Sequence, residues 1–124
     1  MKTLKFIAIA CIALIITSCG TKNSEENKVA SSSTVNGVSS ATFKVWGNCE
    51  MCKETIEGSL KVDGITKADW NVDTKIMSVN FDSTKISLDK IKKNIAIVGY
   101  DNEKFKADDK VYSELPECCQ YDRK

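Results

Sequence analysis

The chain has 124 residues, with 18 basic and 17 acidic side chains, a formal charge of +1 and no histidine. A length of this order holds one small domain with appendages. The near-neutral balance without a basic stripe offers no support for a nucleic-acid partner. With histidine absent, any metal bound through soft ligands must be held by sulfur, and six cysteines are available.

Lys2 and Lys5 precede an apolar stretch from Phe6 to Ile16, too short to cross a bilayer as a permanent helix, and this reads as an export signal. It runs into Ile16-Thr17-Ser18-Cys19, which resembles the bacterial lipobox. That resemblance implies cleavage before Cys19, which becomes the first mature residue and a lipid anchor. An ordinary signal cut nearby is the alternative. Residues 1–18 are then a lipoprotein signal peptide, and the protein is expected in the bacterial cell envelope, held to a membrane and facing the periplasm or the cell surface. Loss of that segment removes Cys11 and two lysines but no acid, moving the formal charge from +1 to −1. Residues 19–40 hold the lipidated cysteine and a Ser-, Asn- and Glu-rich stretch without hydrophobic periodicity. Such a stretch buries too little to offset its ordering entropy, so a disordered tether with a reach of about 25 Å is expected.

The folded part is expected to begin at Ala41, where Ala41, Phe43 and Val45 alternate with polar residues as a first strand. Asn48 is placed to cap a helix carrying Cys52, Ile56 and Leu60 on one stripe, closed by Asp63-Gly64. Ala68, Trp70 and Val72 read as a second strand, Asp73-Thr74-Lys75 as a turn, and Met77, Val79 and Phe81 as a third strand. Ser87 opens a second helix with Leu88, Ile91, Ile95 and Val98 on its apolar face, and Gly99 ends it. A fourth strand is expected over Asn102 to Ala107. The order strand, helix, strand, strand, helix, strand predicts an α+β, ferredoxin-like βαββαβ sandwich over residues 41–107, followed by a cysteine-bearing tail over 108–124.

Cys49-Glu50-Met51-Cys52 stands where the first strand gives way to a helix. Residues three apart share a helix face, and the free N–H groups at a helix start favour thiolate over thiol, so both sulfurs suit one metal ion. A dithiol redox couple and a structural disulfide are the other readings. However, thioredoxin-like enzymes place their Cys-x-x-Cys after a complete βαβ unit and against a cis-proline loop, and here Pro116 is the single proline and lies in the tail. Trp46 and Trp70 read as packing groups, Glu50 as solvated, and Met51 as an apolar shield of the loop.

These residues resemble the heavy-metal-associated domain family, found as copper chaperones, as N-terminal modules of metal-pumping P-type ATPases and as the periplasmic mercury-binding protein. The family motif Gly-Met-Thr-Cys-x-x-Cys corresponds to Trp46-Gly47-Asn48-Cys49-Glu50-Met51-Cys52; both cysteines carry over, whereas Trp46, Gly47 and Asn48 replace the first three residues. Tyr100, after Gly99, matches a tyrosine that lies beside the thiolates in bacterial copper chaperones. The resemblance implies a carrier of Cu(I) that delivers to a metal-transporting ATPase or to another thiol or thioether acceptor, or that sequesters its cargo. Zinc or cadmium in a four-thiol site and mercury are the alternative cargoes. No general acid–base constellation is present, so a non-enzyme is expected.

The tail ends in Leu115-Pro116-Glu117-Cys118-Cys119-Gln120-Tyr121 and resembles extensions of bacterial lipoprotein members of the family. Neighbouring Cα atoms lie about 3.8 Å apart, below the usual disulfide range of about 4.4 to 6.8 Å, so Cys118 and Cys119 are poor partners for each other. They read as further metal ligands, as disulfide partners of Cys49 or Cys52, or as groups with an intermolecular or unrelated role. A fourth strand running away from the loop by about 20 Å would leave the tail enough chain, at most roughly 36 Å, to return.

Overall fold

The computed structural model describes residues 32–35 and 37–123. The signal segment 1–18, Cys11, Cys19 and most of the tether lie outside the described residues. Eight elements follow: β1 (Ser32–Val35), β2 (Val38–Lys44), α1 (Glu50–Gly58), β3 (Ile65–Trp70), β4 (Ile76–Asp82), α2 (Leu88–Ile97), α3 (Asp109–Ser113) and a 3₁₀ turn over Glu117–Cys119. The strands form one antiparallel sheet in the order β1-β2-β4-β3.

Period-two alternation builds the core face. Ala41 stands opposite Val79 and Phe43 opposite Met77, and all four are buried with Val45 and Phe81. Cys52 and Ile56 of α1 and Ile91 and Ile95 of α2 close over these residues together with Trp70. The α+β, ferredoxin-like arrangement expected from the sequence is therefore the one adopted.

Three local expectations are corrected. First, ordered chain begins before Ala41. Ser32–Val35 pairs with Val38–Ala41 as a hairpin, with Gly37 at φ +81° in the turn. The polar tether thus ends earlier than residue 40, because its last serines serve as sheet residues: Ser40 Oγ donates to Asn80 Oδ1 at 2.9 Å. Second, α1 stops at Gly58 and not at Asp63-Gly64, since Ser59 Oγ turns back to donate to the Ile56 carbonyl. Leu60 still reaches the core through the following turn.

Third, Asn102–Ala107 is not a strand. Asn102 makes one isolated bridge with Val45, continuing the edge of β2 that β1 covers at its other end. Beyond it the side chains of Asn102 and Asp101 capture the backbone. Asn102 Oδ1 accepts from the N–H groups of Lys104 and Phe105, and Asp101 Oδ1 accepts from that of Ala107 at 2.7 Å. The segment curls back on itself instead of running away from the metal loop, and the tail starts close to the place it must reach.

Candidate metal centre

The loop from Val45 to Cys49 is fixed from both sides. The N–H of Val45 donates to Lys75 O and that of Trp46 to Asp101 O, each at 2.9 Å. Beneath it Trp70 is fully buried and its Nε1 donates to Val45 O at 3.2 Å. Gly47 lies so close to this ring that a Cβ there would stand 2.8 Å from Cη2. Glycine is required at this position by the closeness of approach. Trp70 is thus the floor of the loop, consistent with the packing role expected of it.

The loop delivers Cys49 as the N-cap of α1 and Cys52 into its first turn. Asn48 does not cap the helix, contrary to expectation. Its N–H donates toward Cys52 Sγ at 3.4 Å, and its Nδ2 donates to Gln120 O at 3.2 Å, so it braces the loop against the tail. With no side-chain oxygen over the helix start, the first N–H groups are left to the sulfurs. The Cys52 backbone N–H is the main reason that the Cys49 thiol, half-buried, is drawn down to about 7. Cys49 and Cys52 Sγ stand 3.5 Å apart.

The tail supplies the other wall. Asp108 caps α3, Leu115 packs against Gly99 at φ +101°, and Pro116 leads into the 3₁₀ turn that carries Cys118 and Cys119. Cys119 Sγ lies 4.0 Å from Cys49 Sγ and 3.9 Å from Cys118 Sγ. Cys118 Sγ also lies 4.0 Å from Met51 Sδ. The sulfurs of Cys49, Cys118 and Cys119 fall within 4.8 Å of one another, and all four described cysteines are free thiols. Burial pushes the Cys119 thiol up to about 12.

Tyr100 sits below the sulfurs. Its hydroxyl is buried without a hydrogen-bond partner, and burial first, then the neighbouring Cys119 and Cys52 thiols, hold its ionisation well above the ordinary tyrosine value. A donor left in that state is satisfied when an adjacent sulfur carries negative charge. Sulfurs sharing one ion at about 2.3 Å stand about 3.8 to 4.0 Å apart, close to the spacing here, so the thiol set fits a soft ion. Tyr100, Asn48 and the four cysteines predicted as site residues are therefore brought together in one place. Glu50 is exposed, as expected, and Met51 is half-exposed beside Cys118 rather than a closed lid.

Sequence reasoning missed the clasp that holds the tail. Tyr121 Oη donates to Gly99 O at 2.9 Å and accepts from the Asp101 N–H at 2.7 Å, its ring stacks on Tyr100 at 5.9 Å, and Tyr112 Oη donates to Tyr121 O. Arg123 then reaches Asp101, Asp109 and Ala107 O while lying over the Tyr112 ring. The signal available was Tyr121 two residues after the cysteine pair, with Arg123 following.

Residues 48–101 match the heavy-metal-associated domain. The copper chaperone CopZ of Staphylococcus aureus (strain JH9) is 36% identical over 55 residues, which make up 44% of this chain and 81% of that protein. The chain belongs to the heavy-metal-associated domain family. Among solved structures, oxidized MerP from Ralstonia metallidurans CH34 shares 32% identity with a TM-score of 0.50, over 53% of this chain and 94% of that one. A CopZ metallochaperone aligns at 34% identity and TM-score 0.49, over 51% and 97%. The family match holds Cys49, Cys52 and Tyr100 and ends at Asp101, so the heavy-metal-associated domain of this chain is followed by a tail, with Cys118 and Cys119, that lies beyond the matched residues.

Proposed function

We propose that the protein is a carrier for a soft metal ion, Cu(I) before others, that holds its cargo on Cys49 and Cys52 with Cys118 and Cys119 closing the site from the tail. The observation that carries this reading is the approach of tail sulfur to loop sulfur, 4.0 Å between Cys49 and Cys119. The copper chaperones among its relatives support the choice of Cu(I). Release runs by ligand exchange: an acceptor thiolate or thioether bonds to the ion as one carrier sulfur leaves, with no change of oxidation state. Acceptors of that chemistry are a metal-transporting ATPase or another thiol or thioether protein. The protein is proposed as a carrier and not an enzyme, and sustained turnover of a test disulfide by the reduced chain would overturn that. Attachment to a membrane of the cell envelope through Cys19 is part of the proposal and rests on the lipobox resemblance; Cys19→Ser should abolish lipid labelling.

Zinc, or cadmium, is the second reading, favoured by the number of sulfurs: the four free thiols match the count a tetrahedral ion takes, with Cys49, Cys118 and Cys119 grouped within 4.8 Å and Cys52 Sγ 3.5 Å from Cys49 Sγ. Oxygen-free competition of the reduced protein for Cu(I) and Zn²⁺ against chelators of known affinity decides between them. Replacing Cys49 and Cys52 by serine should abolish tight binding of the true cargo. Retained affinity in that double variant would remove Cys49 and Cys52 as the residues that hold the cargo.

A further inference from the structure

Cu(I) is satisfied by two or three sulfurs, and this centre offers more than one such set. The sulfurs form an unbroken line: Cys52 to Cys49 at 3.5 Å, Cys49 to Cys119 at 4.0 Å, Cys119 to Cys118 at 3.9 Å, and Cys118 to Met51 at 4.0 Å. At one end Cys49 and Cys52 form an inner seat, and the buried Tyr100 hydroxyl lies beside Cys52 and Cys119. At the other, Cys49, Cys118 and Cys119 form an outer triangle with Cys118 exposed. Cys49 belongs to both.

We propose that the closed centre takes two monovalent soft ions side by side, one on Cys49 and Cys52 and one on Cys49, Cys118 and Cys119, with Cys49 bridging. This deepens, and rests on, the reading of the protein as a Cu(I) carrier. Spacing argues for the second ion: one ion on Cys49 and Cys52 leaves Cys118 and Cys119, with sulfurs 3.9 Å apart, as unused thiols beside it. Two ions on four thiolates leave two negative charges, and the Tyr100 hydroxyl, buried near Cys52 and Cys119, donates to a sulfur to offset part of them. Each thiol gives its proton to solvent as its metal–sulfur bond forms, and neither ion changes oxidation state. The outer ion, resting on the exposed Cys118, is the one an acceptor meets first.

The test is a count. The full chain carrying Cys11→Ser and Cys19→Ser, so that only the four site thiols remain, is reduced and titrated without oxygen with Cu(I) supplied as its acetonitrile complex. Native mass spectrometry then reads ions per monomer. The expected result is saturation at two per monomer, falling to one when Cys118 and Cys119 are both serine, with the second ion held more weakly in Cys118→Ser alone, whose exposed side chain leaves the core untouched. Saturation at one, two ions found only at the mass of a dimer, or two ions unaffected by Cys118→Ser and Cys119→Ser would each overturn the two-ion centre while leaving the carrier reading in place. No bound copper at all would overturn both.

Discussion

Arg123 and Asp101 are joined by two hydrogen bonds, Nε to Oδ2 at 2.9 Å and Nη2 to Oδ1 at 2.7 Å, with both side chains largely shielded from water. The pair ties the last described residues of the tail to the turn after α2. That turn also carries Tyr100, so one ion pair positions both the tail sulfurs and the hydroxyl beneath them. Removing one partner from such a pair leaves the other charge buried and unmatched. Arg123→Ala is expected to destabilise the protein by about 3 kcal/mol, seen as a lower urea midpoint. It should also speed metal loss to a competing thiol. Arg123→Lys should recover only part of this, because a lysine cannot present the two-pronged donor. Equal midpoints and equal release rates in the wild type and Arg123→Ala would show that the clasp holds nothing.

The same pair sets an acid limit. Burial alone pushes the Asp101 carboxyl up, but the Arg123 guanidinium and the Ala107 N–H outweigh it and hold the net value below the ordinary carboxylate value of 3.8. A carboxyl lowered in the folded state gives stability that is complete above the unfolded value and is lost as pH falls through the folded one. Tail anchoring should therefore be constant from neutral pH down to about pH 4 and weaken below that. Unfolding free energy measured between pH 2 and 7 should show this decline, and Asp101→Asn should be less stable at neutral pH with a shallower acid decline.

Alkylation should separate the thiols of the reduced, metal-free protein. Cys49, drawn down to about 7, should react with iodoacetamide with a rate that rises between pH 6 and 8. Cys119, buried and pushed up to about 12, should react last at every pH in that range. Peptide mapping by mass after brief labelling reads the order directly, and early labelling of Cys119 would contradict the closed tail.

Gly47→Ala tests the floor of the loop. The added methyl would meet the Trp70 ring at 2.8 Å and Cys52 Cβ at 3.3 Å, and neither group is free to retreat. Overpacking of this kind costs about 1 to 3 kcal/mol. The shift should fall on the distance between Cys49 and Cys52, so Cu(I) affinity should drop along with stability. Gly58→Ala, where nothing lies within 4 Å, is the control and should leave affinity unchanged.

Much of this centre could be read from the chain alone. Alternation in Phe43, Val45, Met77, Val79 and Phe81 located the core face, and Cys49-x-x-Cys52 located the loop, because periodicity and spacing are local signals. Ser87 and Gly99 marked the ends of α2 for the same reason. Asn102–Ala107 was misread because short polar side chains, Asp101 and Asn102, took over backbone donors that a strand would have offered to a neighbour. The hairpin of β1 and β2 was passed over although Asn36-Gly37 is a strong turn signal, since the surrounding serines carry no apolar alternation. Arg123 could not be assigned a partner at all: its contact with Asp101 spans 22 positions and has no periodic signature.

The contacts that close the centre join distant parts of the chain: Asn48 to Gln120 across 72 positions and Cys49 to Cys119 across 70. During synthesis from the N-terminus the Cys49 and Cys52 pair leaves the ribosome first, while Cys118, Cys119 and their anchors are still unmade. The sheet and both long helices can assemble at that stage, but the thiol cage cannot. Its completion waits for residues 118–123, so a chain broken off before them would carry an exposed dithiol instead of an enclosed one.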